Sequence, residues 1–451
     1  MPSPVRASQA TRPRRDPAAV LTAALVLLGT ALVALALADR PVRRLPLSPA
    51  LIYLVLGWLA GKLLASAGGP GGQGGEHGVT AMLVLHASAL RVMVEIALLA
   101  SLLAIGLRLR MNPTWREWHV ALLLAGPGML VTIALAAAAA VWLLGLSWPA
   151  ALLLAAVLSP TDPVLASEVQ IRHESDRDAV RVALTAEGAL NDASASPVVA
   201  LALALLGLHL MGQSSPGARW LQWFWADLLL PLGGGALLGV GLGWLLGRTL
   251  RARAVSGDTL ARDELLHVCA VALSFGLAHA MGLSAFMVAF AVGATLLMPL
   301  RRSDLADAGK ALGDRLHAFG SRLERLVEAS TVLTVGALLS GLQPGWAELI
   351  FALLLAFVAR PLAVAAVIRK RTMPPGQRRV VAWFGIRGLG SLYYLLLALE
   401  SGVSGDFAMQ LVRVTLLCIA MSIVLHGVSA TPLMTAYQRR RDQRRAGGPK
   451  R

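Results

Sequence analysis

Three carboxylates and two arginines stand where an otherwise apolar chain has little reason to carry charge. Asp162 lies in Leu158-Ser159-Pro160-Thr161-Asp162-Pro163-Val164, and Glu187 and Asp192 lie in Thr185-Ala186-Glu187-Gly188-Ala189-Leu190-Asn191-Asp192-Ala193. Arg360 follows Phe357-Val358-Ala359, and Arg387 sits in Trp383-Phe384-Gly385-Ile386-Arg387-Gly388-Leu389-Gly390-Ser391. An ionised group inside an apolar run is costly unless a counter-charge, a proton or a cation joins it, so such residues mark ion paths and proton carriers. Pro160 and Pro163 remove two backbone donors and oppose a continuous helix, so the chain is expected to unwind around Thr161 and Asp162. A break at membrane depth survives only where it lines a cavity or packs in protein, and it presents carbonyls and helix ends that bind ions. Asp162 either adds its carboxylate to such a site or caps the half-helix that follows.

Glu187 and Asn191 are four residues apart and share a helix face, whereas Asp192 lies about 140° around from Glu187. The two carboxylates therefore need different partners. Asp192 reads as the group that takes either a proton or a metal cation, and Glu187 as the fixed half of a buried ion pair. Arg360 supplies the counter-charge for Glu187, unless it snorkels to an interface. Three glycines around Arg387 suit a second broken helix, built with glycine where the first uses proline. Arg387 would neutralise helix-end carbonyls or Asp162 where the breaks cross. Glu95, four residues after Arg91, forms a local pair or reaches the cation path. His267, His279 and His426 read as packing or helix-end residues, with a bend at His426-Gly427, and Arg413 as a partner for a carboxylate or a snorkelling group.

The elements that must hold these residues are helices in a membrane. Of 451 residues, 56% are hydrophobic and only 15% charged, with mean hydropathy +0.66. Soluble domains carry about 25% charged residues, so a soluble enzyme is excluded. Two cysteines give no disulfide framework. Crossing a bilayer takes roughly 20 apolar residues in a helix. About thirteen stretches qualify: 18–38, 48–66, 90–108, 118–144, 149–168, 180–209, 222–247, 262–281, 283–300, 323–341, 345–367, 379–400 and 407–435. The charged region 301–325 reads as a cytoplasmic interfacial helix, and Gly126-Pro127-Gly128 as a kink. The predicted fold is an all-α polytopic membrane domain over 18–435 between a short tail, 1–17, and a basic tail, 436–451. Repeat one covers about 18–209 and repeat two about 262–435, joined by a linking helix at 222–247.

The excess of 41 Lys and Arg over 25 Asp and Glu falls in short bursts between the runs, which suits cytoplasmic loops better than a nucleic-acid surface. Arg439 to Arg445 place the C-terminus in the cytoplasm. Alternation then leaves 67–79, 210–221 and 401–406 outside, nearly free of Lys and Arg, and an odd span count puts the N-terminus outside as well. No phosphate-binding Gly-rich motif, hydrolase triad or zinc motif is present. Broken helices in both halves point to a secondary transporter driven by ion gradients. An intramembrane hydrolase using Asp162 and Asp192 as a dyad, and a cation channel, are the alternatives.

The motifs above, in this order and with Leu425-His426-Gly427-Val428-Ser429-Ala430-Thr431-Pro432-Leu433, resemble those of monovalent cation/proton antiporters of the sodium/hydrogen exchanger superfamily, NhaP-like branch. The resemblance spans about 18–435 and implies the NhaA/NhaP-like fold of inverted repeats with two crossed discontinuous helices. It implies that Asp192 is the principal ion- and proton-binding carboxylate, that Thr161, Asp162 and Ser159 coordinate the ion or shape its site, and that Glu187 and Arg360 form a structural pair. It also implies that the Asn191-Asp192 pair marks electroneutral one-for-one exchange of Na+, Li+ or K+ for H+. No cofactor, nucleotide or nucleic acid is expected. The expected assembly is a homodimer in a bacterial inner membrane, working by an elevator-like shift. Ala193 stands where relatives often have glycine, which removes no polar group.

Overall fold

The computed structural model describes residues 29, 48–66, 75–109, 115–162, 165, 169–171, 178–208, 220–255, 263–301 and 305–446. The expected first span at 18–38, apart from residue 29, the tail 1–17 and Pro163 lie outside the described residues. The helices, in chain order, are α1 (Pro49–Ser66), α2 (Gly75–Leu85), α3 (Ala87–Arg108), α4 (Trp118–Leu144), α5 (Trp148–Leu158), α6 (Ala179–Leu205) and α7 (Trp220–Val255). They continue with α8 (Asp263–Met281), α9 (Ala285–Leu296), α10 (Ala306–Leu339), α11 (Trp346–Val367), α12 (Pro375–Trp383), α13 (Leu389–Glu400) and α14 (Gly405–Ala446). Eight of the described helices are long and apolar enough to cross a membrane, not thirteen.

The difference has physical causes. Two expected spans stop short because they break: α5 ends at Leu158 instead of running to residue 168, and 379–400 is split into α12 and α13. The expected span 323–341 and the expected interfacial helix at 301–325 merge into α10, a 34-residue helix that contains no proline to stop it. The 262–281 and 283–300 spans are separate helices. Gly282 turns the chain between them at φ 65°, and the Ser284 side chain caps α9 by accepting from the Met287 N–H. The last helix continues through His426-Gly427, where a bend was expected, and absorbs most of the basic tail.

Three prolines in the long helices, Pro127, Pro231 and Pro361, are accompanied by a widened turn, whereas Pro197 and Pro432 sit in continuous α-helix. The backbone opens to π geometry at Leu124–Gly128 around Pro127, at Trp223–Gly234 around Pro231, and at Leu355–Ala359 just before Pro361. Each proline lacks the N–H that the preceding turn would use. The kink expected at Gly126-Pro127-Gly128 takes this form.

The centre is formed by α3, α5, α6, α9, α13 and the middle of α14, whose apolar side chains are buried together. The rim is different. Trp58, Leu59 and Leu63 on α1, and Trp225, Leu230, Leu237 and Trp244 on α7, are exposed apolar side chains. A stripe of this kind is what lipid covers.

Candidate ion site at two crossed helix breaks

The helix α5 ends at Leu158, and α12 ends at Trp383 before α13 starts at Leu389. Their extended breaks cross, and the Asp162 N–H donates to the Ile386 carbonyl at 2.7 Å. Helix ends leave carbonyls or N–H groups without partners, and here charged side chains supply them. The Arg387 guanidinium donates to the carbonyls of Ser159 at 2.8 Å and Pro160 at 3.3 Å, at the end of α5. Asp162 sits at the opposite pole. Its carboxylate accepts from the Leu389 N–H at the start of α13, and from the Leu165 N–H at 3.3 Å. Each break thus carries the charge that complements the helix end presented by the other. Asp162 caps the half-helix of the other broken span as well as accepting within its own.

Glycine is required where these side chains meet the second break. A Cβ on Gly388 would lie on the Asp162 carboxylate, and one on Gly390 would lie on the Asp192 carboxylate. A Cβ on Gly385 would come within 3.0 Å of the Arg360 side chain. The spacing Gly385, Gly388, Gly390 is the footprint of three charged residues.

Arg360 pairs with Glu187 through both guanidinium nitrogens, one contact being Nη2 to Oε2 at 2.7 Å. The same Nη2 donates to the Phe384 carbonyl at 3.2 Å, so the pair also closes the C-terminal end of α12. Both side chains are almost fully buried, and the bidentate fork with its added carbonyl provides the geometry that a buried pair needs. The backbone of the second break is further tied to α14. The Arg387 N–H donates to Ser422 Oγ at 2.8 Å, and His426 Nε2 lies 3.0 Å from the Trp383 carbonyl.

Asp192 is treated differently. It is fully buried on α6, and neither carboxylate oxygen has a hydrogen-bond partner among the described residues. Next to it, the Asn191 amide donates to Thr161 Oγ1 at 2.6 Å, which leaves Asn191 Oδ1 unpartnered and buried. The Tyr394 hydroxyl on α13 donates to the Asp192 backbone carbonyl. Ser159 spends its hydroxyl on the Ala155 carbonyl at 2.6 Å, so only its own carbonyl faces the crossing partner. No three His, Cys, Asp or Glu side chains converge among the described residues, so a cation at Asp192 would share that carboxylate with neutral oxygens.

Glu95 belongs to a separate cluster. Arg91 donates to it at 2.8 Å and also pairs with Glu400 at the end of α13, while His279 Nε2 is 3.5 Å from Glu95. Arg413 joins Glu348 at 2.6 Å and Glu76 at 2.8 Å. Tyr394, Ser422, Glu76, Glu348 and Glu400 carried no signal in the sequence beyond ordinary polar residues near helix ends or in packed runs.

A polytopic helical domain with two crossed, charge-capped breaks and an unpartnered buried carboxylate beside them has the build of a secondary transporter. The chain belongs to the sodium/hydrogen exchanger family, whose transmembrane-domain model matches residues 28–436. It is 25% identical over 409 residues to the K(+)/H(+) antiporter NhaP2 of Shewanella sp. (strain MR-4), covering 90% of this chain and 65% of that one. The K(+)/H(+) antiporter NhaP of Alkalimonas amylolytica is 26% identical over 392 residues, 85% of this chain and 61% of that one. The chain therefore spans about two thirds of the length of the curated relatives it matches. The fold is shared with the sodium proton antiporter MjNhaP1 of Methanocaldococcus jannaschii. Two structures of that protein superpose with TM-scores of 0.66 and 0.69 at 19% identity, covering 92% of this chain and 98% and 97% of theirs.

Proposed function

We propose that the protein is a secondary active antiporter that exchanges an alkali cation, Na+, Li+ or K+, for H+ by competition at Asp192. The observation that carries this reading is the Asp192 carboxylate, fully buried with both oxygens unpartnered, beside the free oxygen of Asn191. An ionised carboxylate cannot rest there alone, so the site holds a proton or a cation, and never needs both. Asp162 and Arg387 neutralise the helix ends of the crossing, and Glu187 with Arg360 braces it. These charges stay with the protein while the charge at Asp192 is exchanged. A hydrolytic carboxylate dyad gains no support, because Asp162 is engaged by the Leu389 N–H.

Exchange requires Asp192 to meet water from alternate sides, and the buried arrangement corresponds to a closed point in that cycle. Two inverted repeats, a cytoplasmic C-terminus, a homodimer, an elevator-like shift and one-for-one electroneutral exchange in a bacterial inner membrane complete the reading. They rest on the family resemblance, on the basic loops and on the names of the relatives. Proteoliposomes loaded with an acid interior test it: adding Na+, Li+ or K+ outside should raise the internal pH, and a voltage-collapsing ionophore should leave the rate unchanged. Cation-independent proton movement, or none with any of the three ions, would reject antiport.

A further inference from the structure

Ser391 lies in the first turn of α13, and neither the ion pairs nor the helix caps use its side chain. Its Oγ is fully buried and has no hydrogen-bond partner among the described residues. Burying a hydroxyl without a partner is unfavourable, so an orphan of this kind next to a functional site points to a missing ligand. Its neighbours on the helix indicate the direction. Gly390 abuts the Asp192 carboxylate, and Tyr394 donates to the Asp192 carbonyl. At about 100° per residue, Gly390, Tyr394 and Ser391 fall at about 0°, 40° and 100°, one face of α13. The first two touch Asp192, so Ser391 shares the face turned toward it.

Four buried oxygens without partners thus lie on α6 and on the adjoining turn of α13: both from the Asp192 carboxylate, Asn191 Oδ1 and Ser391 Oγ. Asn191 is held in this orientation by its bond to Thr161, which keeps its amide nitrogen occupied and its oxygen free. One carboxylate with an amide oxygen and a hydroxyl is a hard-oxygen set suited to a partly dehydrated alkali cation, and the number and spacing of such oxygens decide which ion is favoured. We propose that Ser391 Oγ is a direct ligand of the transported cation and a determinant of selectivity among alkali ions. The inference rests on the antiport reading and extends it. A serine hydroxyl does not itself titrate, so its contribution is read first in cation affinity and selectivity.

The test compares wild type, Ser391→Ala, Ser391→Thr and Ser391→Cys as full chains in proteoliposomes, with proton flux driven by Li+, Na+, K+, Rb+ or Tl+. For Ser391→Ala the apparent KM of the preferred cation should rise about tenfold. The ratio of KM values between cations should change, while kcat stays within about twofold and the pH dependence at saturating cation is kept. Ser391→Thr should restore the wild-type pattern. Ser391→Cys keeps the size but offers a soft sulfur, and should shift preference from K+ toward Tl+. This variant also covers the case in which Ser391→Ala fails to assemble. An unchanged KM ratio in Ser391→Ala, or a Ser391→Cys protein with wild-type preference for K+ over Tl+, would overturn the assignment. Those outcomes differ from failure of the antiport reading itself, which would show as wild-type protein without cation-driven flux or as an Asp192→Asn protein that still exchanges.

Discussion

The guanidinium of Arg360 satisfies two different needs with one group, the carboxylate of Glu187 and the Phe384 carbonyl just past the end of α12. Replacing it with alanine leaves Glu187 buried without a counter-charge, which costs about 3–5 kcal/mol. Replacing Asp192 by asparagine removes a charge that has no protein partner. Arg360→Ala should therefore lower the thermal stability of the purified protein far more than Asp192→Asn does, and equal melting of the two variants in detergent would contradict these roles. The residues of this frame were legible in the sequence because charge inside an apolar run is conspicuous. Tyr394 and Ser422 were not, because a tyrosine or a serine in a packed helix looks the same whether or not it completes another element's backbone. The Arg91–Glu400 contact joins residues 309 apart, a pairing that sequence spacing cannot indicate.

At the scale of elements, the crossing works because proline opens one helix and glycine opens the other. Pro160 and the three glycines announced both breaks, but not how the breaks would share their caps. The Asp162 carboxylate reaches the N–H of Leu389 on the other broken span, and only the crossing in space makes that possible. Gly388→Ala puts a methyl group on that carboxylate, so it should abolish exchange while the protein still inserts. Gly276→Ala in α8, where nothing lies within 4 Å of the added carbon, serves as the control and should exchange as wild type does. Normal flux in Gly388→Ala would show that the capped crossing is dispensable. Helix lengths were the least legible feature. Hydropathy alone does not register that α5 stops at Leu158, or that α10 runs unbroken through a charged stretch.

At the scale of the molecule, topology follows from the loops. Ser404, between α13 and α14, and Arg371, between α11 and α12, are both exposed and lie at opposite ends of their helices. In a background lacking Cys269 and Cys418, Ser404→Cys should react with a membrane-impermeant maleimide applied to intact cells. Arg371→Cys should react only after the membrane is opened, and the reverse pattern would invert the orientation. Exchange through such a body requires that one group be emptied of its proton as it takes up its ion. That step is accessible without a membrane, by adding Na+, Li+ or K+ to purified protein in weakly buffered detergent and measuring the protons released. Wild-type protein should release about one proton per cation bound, in accord with direct competition, and Asp192→Asn should release none. Undiminished release from Asp192→Asn would contradict the assignment of exchange to this carboxylate.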